Sequence, residues 1–123
     1  MLGAWPSGEY GTVAVLGNHD YGAGWEQLKV TAQVEQHAAQ AGIHVLRNGR
    51  TTIRGLDIVG VDVLWGPQFS PQIALSGTRM NKATILLCHN PDGVDKPQWP
   101  GYRGWILAGH THGGQCKPPF LPP

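Results

Sequence analysis

The stretch Gly109-His110-Thr111-His112-Gly113-Gly114 holds two imidazoles one residue apart between glycines. In an extended loop this His-x-His spacing presents both rings to one region, within reach of one metal ion or two adjacent ones. The flanking glycines permit backbone angles and close approaches that other residues resist. Imidazole suits zinc, iron, nickel and copper, whereas carboxylates and water shift preference towards manganese and magnesium. Taken alone, the spacing fits two solvent-facing loop histidines equally well. It gains weight from His89-Asn90 and from Asn18-His19-Asp20, which also follow short apolar runs.

Those runs are the elements that must position the chemistry. Residues 12–16 (TVAVL), 83–88 (ATILLC) and 105–108 (WILA) are continuously apolar and read as buried strands. Each ends in a polar loop carrying Asn or His, and in α/β sheets ligands collect outside the carboxyl ends of strands. Between them, residues 25–41 show helical periodicity, with Trp25, Leu28, Ala32 and Val34 inward and Gly42 as the stop. Residues 43–46 and 51–54 flank Asn48-Gly49, which predicts a type I′ hairpin, and a further strand over 56–63 would complete an antiparallel meander. Ser70-Pro71 predicts the N-cap and first residue of a short helix ending near Leu75.

The 123 residues allow one domain with a modest core. Charged residues are 14%, against about 25% in an average soluble domain, which leaves little charged surface for a free monomer. A net charge of +1 offers no electrostatic reason to expect nucleic acid as a partner. Cys88 and Cys116 form neither a disulfide framework nor a C-x-x-C pair. With no leader and no apolar stretch of membrane-spanning length, the cytoplasm is the expected location. His37 and His44 read as solvated and Cys88 as inert core, while Trp65, Trp99, Tyr102 and Trp105 could line a substrate pocket, with core or interface packing as the default.

At this point the chain resembles the calcineurin-like metallophosphoesterases. The matching stretches are Gly17-Asn18-His19-Asp20, His89 within Leu87-Cys88-His89-Asn90-Pro91-Asp92, and Gly109-His110-Thr111-His112-Gly113-Gly114-Gln115. The likeness runs over 11–115, with a Pro-rich tail at 116–123, and the branch it resembles includes UDP-diacylglucosamine pyrophosphohydrolases. The resemblance implies an α/β fold, a partial β-sandwich with flanking helices. It implies Asn18, His89 and His110 as ligands of one metal and His112 as a ligand of a second. His19 would stabilise the phosphoryl oxygens or protonate the leaving group, with Asp20 orienting it. The implied activity is hydrolysis of phosphoesters, chiefly phosphodiesters, by a metal-bound hydroxide, with Mn²⁺ expected and Zn²⁺ or Fe as alternatives.

The chain departs from the family pattern at both ends, and it stops soon after Gly114-Gln115, before the strands expected to finish the second sheet. The Asp-x-His and Gly-Asp-x-x-Asp segments that precede Gly-Asn-His-Asp in a complete member are not in it. Three readings follow: a fragment, a short protein with a rebuilt site, or a site completed by a partner. Met1 at the start favours the short reading frame. The alternative function is a non-catalytic metal-binding or interaction module. A homodimer is expected, because a domain lacking both ends of its sandwich exposes strand edges and an apolar face.

Overall fold

The computed structural model describes residues 7–79, 81–94, 99 and 101–112. The expected tail at 116–123 and Cys116 lie outside them. Two sheets form. The first pairs β1 (Thr12–Ala14) parallel with β2 (Ile43–Val45), joined by the crossover helix α1 (Leu28–Gln40). The second has the order β3 (Gly49–Ile53), β4 (Leu56–Gly60), β5 (Thr84–Cys88), β6 (Trp105–Ala108). Here β3–β4 is antiparallel, and β4–β5 and β5–β6 are parallel. The mixed α/β architecture matches the fold class expected from the sequence.

The sheets meet at Gly60, where a Cβ would stand 2.5 Å from Leu46 Cβ and 2.7 Å from Val15 Cγ1. Glycine is what allows this approach. On the far side of the first sheet, Val34 of α1 packs with Val45 against Leu16, Tyr21 and Val63. On the far side of the second sheet, α2 (Pro71–Leu75) lays Ala74 and Leu75 over Val59, Leu86 and Cys88. Ser70 accepts a hydrogen bond from Ile73 N–H and Pro71 opens the helix, as its sequence predicted.

Three expectations are corrected. Asn48-Gly49 does not close a hairpin: β2 pairs with β1, in the other sheet from β3. Asn48 has a left-handed φ of 47°, but its side-chain oxygen accepts the N–H groups of Asp62 and Ser70. The hairpin turn is instead Arg54-Gly55, with φ of 49° and 85°, the double positive φ that a type I′ turn requires. The helix also starts later and faces differently. Thr31 and Ala38 are its buried positions, while Leu28 and Ala32 are exposed and Trp25 lies before it. Finally, β6 is no buried strand. Ile106 packs on the core, but Trp105 and Leu107 point the other way, 78% and 53% exposed.

That second direction is shared across the sheet. By register, Ile53, Leu56, Ile58, Ile85 and Leu87 lie on the face of Trp105 and Leu107, and no charged residue joins them. The first sheet approaches this apolar face at Gly60; on it Ile53, Leu56, Ile58, Ile85 and Leu87 are half-buried, while Trp105 and Leu107 at the β6 edge stay exposed.

Candidate metal centre

The carboxyl ends of β1, β5 and β6 converge. After β1, a 3-10 turn over Asn18–Tyr21 buries the Asn18 side chain to 3% exposure. Asp20 holds that turn: its Oδ2 accepts Gly17 N–H at 2.8 Å. Tyr21, fully buried, anchors it from behind by donating its hydroxyl to Asp62. The buried Asp62 carboxylate also receives Arg47 Nε at 3.1 Å and Val63 N–H at 2.8 Å, and the Arg47 guanidinium lies over the Tyr21 ring. Burial, then the neighbouring Asp62, pushes the Tyr21 phenol well above its usual range, so it stays a donor.

His89 follows β5 directly, and Gly109 N–H bonds His89 O at 3.0 Å, clamping the β5 and β6 loops together. Thr111 N–H then returns to Gly109 O at 2.7 Å across His110. His110 and His112 have φ of 66° and 51°, left-handed values that side chains other than glycine rarely adopt. A left-handed histidine costs roughly 1–2 kcal/mol, and such strain collects at functional sites.

The result is a cleft of about 520 Å³ lined by Asn18, His19, Asp20, His89, His110 and His112, among others. At its floor, His89 Nε2 lies 3.1 Å from Asn18 Oδ1 and 3.3 Å from His110 Nδ1. His89 Nε2 carries at most one proton. Protonated, it donates to the Asn18 oxygen and offers His110 no lone pair; bare, it accepts from His110 and meets that oxygen lone pair to lone pair. A cation among the three atoms would take one lone pair from each at once. Donors about 2.1 Å from one ion stand roughly 3.0–3.4 Å from each other, so the spacing fits. Burial, then the adjacent His110, pushes His89 below the usual histidine range, with Asp20 opposing. His89 therefore presents the neutral imidazole that a metal needs.

The donors that meet are thus two imidazoles and an amide. Among the described residues, no three His, Cys, Asp or Glu side chains are grouped closely enough to hold an ion. His112 and His19 line the same cleft but are exposed. No hydrogen bond joins Asp20 to His19 among the described residues; the carboxylate is engaged with Gly17.

Two tryptophans stand beside the cleft: Trp65, which the sequence allowed as a pocket residue, and Trp25, which it placed inward on the helix. Trp65 stands edge-on to His110 with ring centroids 5.0 Å apart, and stacks on Trp25 at 5.2 Å and 22°. The glycines of Gly22-Ala23-Gly24 mark a loop at Trp25, and that was the available signal.

Gly17 supplies a local test of this geometry. Its φ of −101° suits any residue, yet a Cβ there would stand 2.8–3.1 Å from the His89 ring. Gly17→Ala is expected to displace His89 and weaken metal binding by about 10–100-fold, the size seen when the support of a ligand is lost. Calorimetric Mn²⁺ titration checks this; unchanged affinity would mean that His89 does not hold the ion.

No family model and no solved structure matches the chain. Curated relatives do. The chain is 36% identical over 118 residues to the phosphodiesterase YaeI of Escherichia coli K12, which covers 89% of this chain and 40% of that protein. It is 32% identical over 122 residues to the uncharacterized metallophosphoesterase YkuE of Bacillus subtilis 168, covering 93% and 40%. The UDP-2,3-diacylglucosamine pyrophosphatase LpxG of Chlamydia trachomatis is 32% identical over 78 residues, covering 62% and 23%. Over the length it spans, the chain belongs to the metallophosphoesterase family. It spans about two fifths of the length of the first two relatives. Among the described residues, no helix is long and apolar enough to cross a membrane.

Proposed function

We propose that this chain carries the histidine-bearing part of a metal-dependent phosphodiesterase site. The observation that carries the reading is the meeting of Asn18 Oδ1, His89 Nε2 and His110 Nδ1 at 3.1 and 3.3 Å. These three would hold one divalent ion and His112 a second, with Mn²⁺ first and Zn²⁺ or Fe as alternatives. When bound, the ion supplies Lewis-acid stabilisation of the phosphoryl oxygens and a more acidic water as nucleophile. In hydrolysis the water oxygen bonds to phosphorus, the bond to the leaving oxygen breaks, and the water gives up one proton. His19, exposed on the cleft, protonates the leaving oxygen or stabilises the phosphoryl group. Asp20 keeps the turn of Asn18 and His19 in place through Gly17.

One observation favours a second reading, a non-catalytic metal-binding module. The donors that meet are neutral, and Asp20 is the one carboxylate among the described residues lining the cleft. We propose too that a second copy covers the apolar face of Trp105 and Leu107, giving a homodimer. Turnover of a chromogenic phosphodiester with Mn²⁺, followed alongside sedimentation equilibrium, tests both proposals. Turnover by a dimer is expected. Absence of turnover at saturating Mn²⁺ selects the binding module, and a folded, active monomer at micromolar concentration removes the dimer.

A further inference from the structure

We infer that Trp25 and Trp65, standing beside the cleft at His110, form an aromatic wall that selects phosphoesters carrying a flat ring, such as a nucleobase. The inference rests on the phosphodiesterase reading for the reaction, but its geometry is independent of it. The two indoles are stacked, 22° apart in plane, and Trp65 touches His110 edge to face. The pair therefore adjoins the ring that would hold the ion, just outside the residues that line the cleft itself.

Both indoles stay open, Trp25 38% and Trp65 42% exposed. An aromatic pair serving only as packing gains by burying its faces. Trp25 also carries a left-handed φ of 61°, which is costly for a bulky residue. The turn that contains it is closed from both sides: Gln27 N–H bonds Tyr21 O at 2.9 Å, and the Gln27 side-chain amide donates to Ala23 O at 3.1 Å. The backbone thus bears strain to present an indole beside the histidines. A stacked indole pair has a flat, polarisable outer face, and a planar ring covers it better than a sugar or a flexible chain does.

The test compares AMP with ribose 5-phosphate, which share a phosphate and a sugar and differ in the base. Binding to the Mn²⁺-loaded protein is measured by calorimetry, with tryptophan fluorescence as a second signal. AMP is expected to bind about 10-fold or more tightly, the scale of base stacking on one aromatic side chain. Trp25→Ala and Trp65→Ala should collapse that ratio towards one. Trp65→Phe should keep most of it, and Trp105→Ala, at the opposite end of its strand from the histidine loop, all of it. In turnover the loss should fall on KM for ring-bearing diesters rather than on kcat. Equal affinity for the two ligands in the wild type, or a preference that survives both alanine variants, would overturn the inference. A tryptophan-dependent AMP preference without any diester turnover would leave the wall standing and remove the hydrolase; turnover with no preference would do the reverse.

Discussion

Replacing His89 and His110 together by alanine is expected to empty the metal centre and abolish phosphodiester turnover. Both rings reach the same point: His89 Nε2 is shared between Asn18 Oδ1 and His110 Nδ1. Of the three atoms that meet, removing the pair leaves the amide oxygen of Asn18, a weak donor by itself, with His19, Asp20 and His112 elsewhere on the cleft. Loss of an outer support alone weakens metal binding by about 10–100-fold, so loss of two direct donors should exceed that range. The fold should survive. Both residues lie in loops beyond the ends of β5 and β6, and the cores around Leu86 and Leu16 contain neither. Elemental analysis after Mn²⁺ reconstitution, with circular dichroism as the folding control, measures the outcome. A double variant that keeps full metal content would end the assignment of these histidines as ligands.

His19→Ala should separate metal binding from chemistry. His19 lies in the same 3-10 turn as Asn18, but its side chain is exposed on the cleft while Asn18 is buried against His89. A positioned acid or electrostatic stabiliser contributes roughly 10²–10⁴-fold to rate, and kcat should fall by that amount. Metal content should stay at the wild-type level, because the turn is held by Asp20 on Gly17 and by Tyr21 on Asp62, neither of which needs the imidazole. If metal and activity vanish together, His19 is a ligand and its proposed role is wrong.

The site was legible in sequence to the extent that local pattern encodes it. Continuous apolar runs announced β1, β5 and β6, because strands in parallel pairing show little polar alternation. The polar residues after those runs, Asn18, His89 and His110, are the ones whose side-chain atoms meet. The hairpin was misread because Asn48-Gly49 carries the stronger local turn signal, whereas Arg54-Gly55 makes the turn. Tertiary contact decided between them. Pairing β2 with β1 lets Val45 pack with Val34 and places Leu46 on Gly60, contacts that a β2–β3 hairpin would forfeit. Similarly, apolar character alone could not tell that Ile106 faces the core while Trp105 and Leu107 do not.

The sequence by itself determined the chemical inventory and its order: which donors follow which strands, and the family whose motifs they match. Those are properties of neighbours in the chain, set by side-chain type, strand propensity and glycine placement. Only the tertiary structure decided that Asn18 and His89, 71 positions apart, share a contact, and that His110 joins them from 21 positions further on. It alone placed Asp20 on Gly17, held His110 and His112 in left-handed backbone, and stood Trp65 between Trp25 and His110. The reason is physical. Strand register, the close approach at Gly60 and the Tyr21–Asp62–Arg47 anchor are cooperative long-range contacts, and no short window of residues carries their energy.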